Sequence, residues 1–189
     1  MGDFNTLKST AYAWQNDARE LIGAANVLLN AYEVSLGSIS VEKPPFEPNE
    51  RNLWRPLMVL YALAVENLLK AIIIARGEDP APDGKLAKWF KHHNLTRHAE
   101  RAKLSFTPKS GLLETLRDFI ESGKYPIGKD AQSGLRSNEF MHPYYTDTVL
   151  DLLQKLEDDL RAILPEKSFP KTDLRNICRG SSNIKKEHS

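Results

Sequence analysis

Two short stretches bring cations and imidazoles close enough together to handle a phosphate. One runs His92-His93-Asn94-Leu95 and on through Arg97-His98 to Arg101; the other runs from Arg136 through Asn138 to His142 and Pro143. Arginine offers a planar, permanently charged fork to phosphate oxygens, while histidine titrates near neutrality and can move a proton. In the first stretch Arg97 and Arg101 are four residues apart, so on a helix they share a face, which suits phosphate binding. Adjacent histidines on a helix point about 100° apart, so His92 and His93 do not converge on one metal by themselves. His93, Arg97 and Arg101 are the binding candidates here. In the second stretch Arg136 could neutralise a phosphodiester while His142 transfers a proton, with Asn138 as a further polar contact. RNA supplies its own 2′-hydroxyl nucleophile, so such a pair needs no metal, and a helix N-terminus beside it would favour the phosphate. Each stretch also has a plain structural reading. The first becomes a surface helix capped by Asn94, and the second a loop in which His142 caps a helix with Pro143 in its first turn.

The rest of the composition narrows the field. The chain has 189 residues, 41% hydrophobic and 27% charged, which fits one globular domain with a core of its own. A single cysteine, Cys178, excludes an internal disulfide and fits a reducing compartment. The N-terminal residues carry no basic stretch followed by an apolar run, so no signal peptide is expected. The longest apolar stretch, Leu57 to Ala75, is interrupted by Glu66, Asn67 and Lys70, and reads as a core helix and not a membrane span. A cytoplasmic protein with no cofactor and no metal is expected. The net charge of +1 gives no global pull toward polyanions, but its distribution is uneven. Lys85 to Lys109 is basic, with Glu100 as its only acid, and Asp147 to Asp159 leans acidic.

Periodicity places these stretches on helices. Leu7, Ala11, Trp14, Ala18, Leu21, Ala25, Leu28 and Tyr32 recur at steps of four and three, marking one face of a long helix from Phe4 to Leu36. Gln15, Arg19 and Asn26 read as its exposed face. Pro44, Pro45 and Pro48 form a linker, and Asn49 is the expected cap of a second helix that ends at Gly77 and is apolar almost all round after Leu68. Short helices are expected over Lys85–His92 and Leu95–Leu104. A further helix carries Leu112, Leu113, Leu116, Phe119 and Ile120 to Gly123, and a last one runs from near Tyr144 to Leu164. The fold expected is an all-α, up-and-down bundle of about five helices over residues 1–165, followed by a polar, frayed tail over 166–189.

The segment Tyr61-Ala62-Leu63-Ala64-Val65-Glu66-Asn67-Leu68-Leu69-Lys70-Ala71, then His93-Asn94-Leu95 and Gly123-Lys124-Tyr125-Pro126, resembles the HEPN superfamily. These are small helical bundles common in prokaryotic toxin–antitoxin and antiviral systems. The similarity spans roughly Asp17 to Leu164, and its Glu-x-x-x-Lys-Ala pattern is the most suggestive part. Active members of that superfamily are metal-independent endoribonucleases that carry an arginine, four to six residues, then a histidine, often with a tyrosine two positions later. Arg136, His142 and Tyr144 match that spacing, while Ser137 and Pro143 depart from the usual pattern. The resemblance implies a site formed across a homodimer, with Arg136 on the scissile phosphate and His142 at the 2′-oxygen. Tyr144 matches a position that a partner nucleotidyltransferase can modify in some toxins, so an antitoxin or nucleotidyltransferase partner is implied. Two functions follow: an RNA-cleaving effector centred on Arg136 and His142, or a non-catalytic module that binds nucleotide, RNA or a protein partner through the basic Lys85–Lys109 segment.

Overall fold

The computed structural model describes residues 4–37, 53–123, 143–164 and Leu174. Over these residues the chain forms five α-helices and two 3-10 turns, and no strand: α1 (Phe4–Gly37), α2 (Trp54–Ala75), 3-10 turns at Pro82–Gly84 and Lys88–Lys91, α3 (Leu95–Ala102), α4 (Leu112–Gly123) and α5 (Pro143–Ile163). The all-α bundle expected from the periodicity is observed.

Helix α2 is the axis. From Leu68 to Ala75 every residue is buried, and α1, α3, α4 and α5 all pack against it. It is long and apolar enough to cross a membrane, yet 78% of its apolar window is covered by the protein's own helices. Cross-contacts fix the helix directions. Trp14 meets Lys70, Asn26 meets Tyr61 and Tyr32 meets Trp54, so α1 and α2 are antiparallel. Tyr12 Oη donates to the Leu164 carbonyl at 3.5 Å while Arg19, further along α1, reaches back to Glu157, so α5 also runs antiparallel to α1, and therefore in the direction of α2.

Four expectations change. The linker prolines and Asn49 lie outside the described residues, and α2 begins at Trp54 behind Leu53, which makes no side-chain cap bond. Pro56 sits in the first turn, where a missing N–H costs nothing. The region Lys85–His92 holds only a 3-10 turn, and α3 stops at Ala102 because Lys103 takes a left-handed conformation (φ 48°). Gln15 and Asn26 are not exposed: they are 2% and 1% accessible, and the Arg19 side chain is only 15% accessible. Tyr61 Oη donates to Asn26 Oδ1 at 2.7 Å inside the core, while Gln15 and Arg19 converge on buried Glu157. Leu174, within the stretch read as a frayed tail, is 1% accessible and joins the core.

Candidate functional site

The basic stretch is built around α3. Asn94 caps the helix as expected, its Oδ1 accepting from the Arg97 N–H at 3.0 Å. The helix turns Leu95, His98 and Ala102 into the core and leaves Arg97 and Arg101 exposed on the flank next to His98. Thr96 Oγ1 donates to Glu114 Oε1 at 2.9 Å and ties α3 to α4.

His92 and His93 part company, because their backbone is not helical. His92 is extended (φ −109°, ψ 161°), and neighbours in extended chain point to opposite sides. His93 turns toward α2, where its Nδ1 lies 2.8 Å from Glu66 Oε2. Glu66 also accepts from Lys70 Nζ at 2.5 Å, and the two side chains are only 3% and 7% accessible. The Lys70 ammonium stands over the rings of Phe90 (4.6 Å) and Trp14 (5.3 Å). The Glu-x-x-x-Lys pair thus knits α1, α2 and the 3-10 turn together through one buried ion pair. Removing either partner would strand the other, at a cost on the order of 3–5 kcal/mol. His93 is accordingly a positioning contact, and it does not line the cleft on the other side of the chain.

His92 faces that cleft. It is open, about 690 Å³, lined by the exposed Lys88, Arg97, Glu100 and Arg101, by half-buried Trp89 and His92, and by buried His98. The Arg101 guanidinium lies 4.9 Å over the Trp89 ring and pairs with Glu78 at 2.5 Å. Gly77, at φ 97°, lets the chain leave α2 so that Glu78 reaches this position. Arg101 is therefore partly neutralised, which the spacing with Arg97 did not reveal. Arg97 and Lys88 are exposed and pair with no carboxylate among the described residues.

His98 is fully buried. Its Nε2 lies 2.9 Å from the Trp89 carbonyl, which can only accept, so Nε2 carries the hydrogen and Nδ1 is a bare acceptor. That Nδ1 has no partner among the described residues. Burial, with a further push from the Lys70 charge and against the Trp89 hydrogen bond, lowers the His98 pKa from 6.5 to about 4. His92 stacks on it with centroids 4.8 Å apart and planes within 15°. Burial first, then the Arg97 charge, lowers the His92 pKa too, and the Asn94 N–H donates to His92 Nδ1 at 3.3 Å. At neutral pH both rings are uncharged, and the positive character of the cleft comes from Lys88, Arg97 and Arg101.

Comparisons with family models, with curated proteins and with solved structures gave no match. The site therefore stands on its own geometry. Arg136, Asn138 and His142 lie outside the described residues, and Tyr144 is the second residue of α5. Of the first stretch, Arg97 and Arg101 come together at the cleft, and His93 is directed elsewhere. Sequence reading placed Lys88, His92 and His98 within the basic stretch without singling them out as site residues, and it did not name Trp89. Trp89 between two lysines, Lys88 and Lys91, was the available hint, since aromatic rings among cations suit nucleotide binding. No group of three or more metal-ligating side chains occurs among the described residues.

Proposed function

We propose that the chain is a HEPN-like, RNA-directed binding bundle that holds the phosphate of a nucleotide or RNA strand in the α3 cleft. The observation that supports this reading most is the presence in one cleft of two exposed cations, Arg97 and Lys88, and of the Trp89 ring with the Arg101 guanidinium over it. The cations neutralise a phosphate, and the flat groups give a base a surface to lie on. The Arg101–Glu78 pair is exposed, and such pairs are worth little, so Arg101 can exchange its carboxylate for a phosphate at small cost. The test is binding of a short single-stranded RNA by the double variant Lys88→Glu, Arg97→Glu. Affinity should fall at least ~10-fold, and the salt dependence should flatten by about one unit of slope per lost phosphate contact. Unchanged affinity in a folded double variant would remove the cleft from the interface.

A second reading, a metal-independent endoribonuclease acting as a homodimer, rests on Arg136 and His142. One observation favours it: Pro143 is the first residue of α5, so His142 directly precedes the positive end of that helix in sequence. Here the test is RNA cleavage in EDTA by wild type against His142→Ala, with 2′,3′-cyclic phosphate ends as the expected product. Cleavage that survives in both His142→Ala and Arg136→Ala excludes this pair as the catalytic centre.

A further inference from the structure

One residue that lines the cleft carries a polar atom left without a partner among the described residues. His98 Nδ1 is shielded from water, carries a lone pair, and has no donor among the described residues, and His98 is one of the residues that line the cleft. A buried acceptor without a partner is costly to keep in a protein built only for stability, and an apolar residue at this position would avoid that cost. The opposite ring atom explains why the tautomer is fixed: Nε2 must donate to the Trp89 carbonyl, so Nδ1 can only accept. It therefore selects for a ligand group that donates. The groups around it describe the rest of that ligand. Arg97 and Lys88 call for an anion at the rim, and the Trp89–Arg101 stack calls for a flat ring. A volume of about 690 Å³ accommodates both parts.

We propose that His98 Nδ1 is the base-reading acceptor of the cleft, taking a hydrogen bond from an N–H on the edge of a nucleobase while Arg97 and Lys88 hold its phosphate. The Nδ1 lone pair lies in the plane of the His98 ring, so the base approaches that edge in-plane while half-buried His92 stays stacked over the ring's face, and the groups that shield the edge part to admit it. A base coplanar with His98 extends the surface on which the His92 ring stacks. The inference rests on the cleft reading given above, and it adds what the cleft discriminates: a nucleotide whose base bears an N–H, over the same phosphate without one.

The test compares binding of ribose 5-phosphate, the four common nucleoside 5′-monophosphates, and purine riboside 5′-monophosphate, whose base has no N–H donor. Wild type should bind at least one of the four about 10-fold more tightly than purine riboside monophosphate, the value of one neutral hydrogen bond. His98→Gln can keep a donor toward the Trp89 carbonyl while removing the acceptor at the δ position. It should lose that preference and bind ribose 5-phosphate as wild type does. The imidazole 15N resonance of His98 Nδ1 should move when the preferred nucleotide is added to wild type, and stay in place with ribose 5-phosphate. Equal affinity for purine riboside monophosphate, or a preference that persists in His98→Gln, overturns the base-reading role while leaving the phosphate site standing. If neither ribose 5-phosphate nor any nucleotide binds wild type, the cleft reading fails and this inference with it.

Discussion

At the scale of single residues, the described site is set by which ring nitrogen carries a hydrogen. His98 is held neutral by burial, and its folded pKa of about 4 lies below the 6.5 of the free side chain. Between those two values the unfolded chain binds a proton that the folded chain refuses. Stability from this group is therefore complete above pH 6.5 and is lost as pH falls toward 4, by up to ~3 kcal/mol. Urea unfolding at pH 7, 5.5 and 4.5 should show this loss in wild type and a shallower one in His98→Gln; identical pH profiles would mean that His98 titrates normally. Little of this was legible in the sequence. His98 reads there as one of three nearby histidines, and nothing local says that Trp89, nine residues earlier, supplies the carbonyl that fixes its tautomer.

At the scale of elements, helix positions were the most readable feature, because apolar spacing and capping chemistry are local. Asn94 was identifiable as a cap because a short acceptor side chain stands just before an apolar-periodic run, and the structure places its Oδ1 on the Arg97 N–H. Asn94→Ala should cost about 1 kcal/mol by chemical denaturation and loosen the first turn of α3, with hydrogen exchange rising at the Arg97 amide. A loss under ~0.3 kcal/mol would show that packing of Leu95 and His98 holds the turn without the cap. The 3-10 turn at Lys88–Lys91 was read as a helix because it carries a helix-like spacing over too few residues to sustain one. That difference matters to the site, since the extended backbone after this turn sends His92 and His93 to opposite sides.

At the scale of the whole molecule, polar residues misled the reading of α1. Gln15, Arg19 and Asn26 look like a solvent face until Glu157 and Tyr61 are brought against them, and those partners are 142, 138 and 35 residues away in sequence. A single sequence contains no signal for such long-range pairings. The same contacts explain why the acidic stretch from Asp147 is not simply a solvated face: Glu157 is buried under Gln15 and Arg19, and Asp159 accepts from the Ser105 N–H at 3.1 Å. Arg19 grips Glu157 through two bonds of 2.8 and 2.9 Å, the forked geometry that lysine cannot supply. Glu157→Ala should strand Gln15 and Arg19 and lower the unfolding free energy by roughly 3 kcal/mol, read from the urea midpoint. A change below 1 kcal/mol would mean that α1 and α5 are held by their apolar faces alone.

The Trp89 ring, in the cleft wall beneath Arg101, gives the protein an optical gauge of its own. Of its three tryptophans, Trp54 is 3% accessible in the core and Trp14 is not among the residues that line the cleft, so both sit where an arriving ligand does not touch them. A nucleotide that displaces or flattens against the Trp89–Arg101 stack changes the emission of one indole out of three. Occupancy of the cleft can then be followed in unlabelled protein, and Trp89→Phe reports how much of the glow came from that wall.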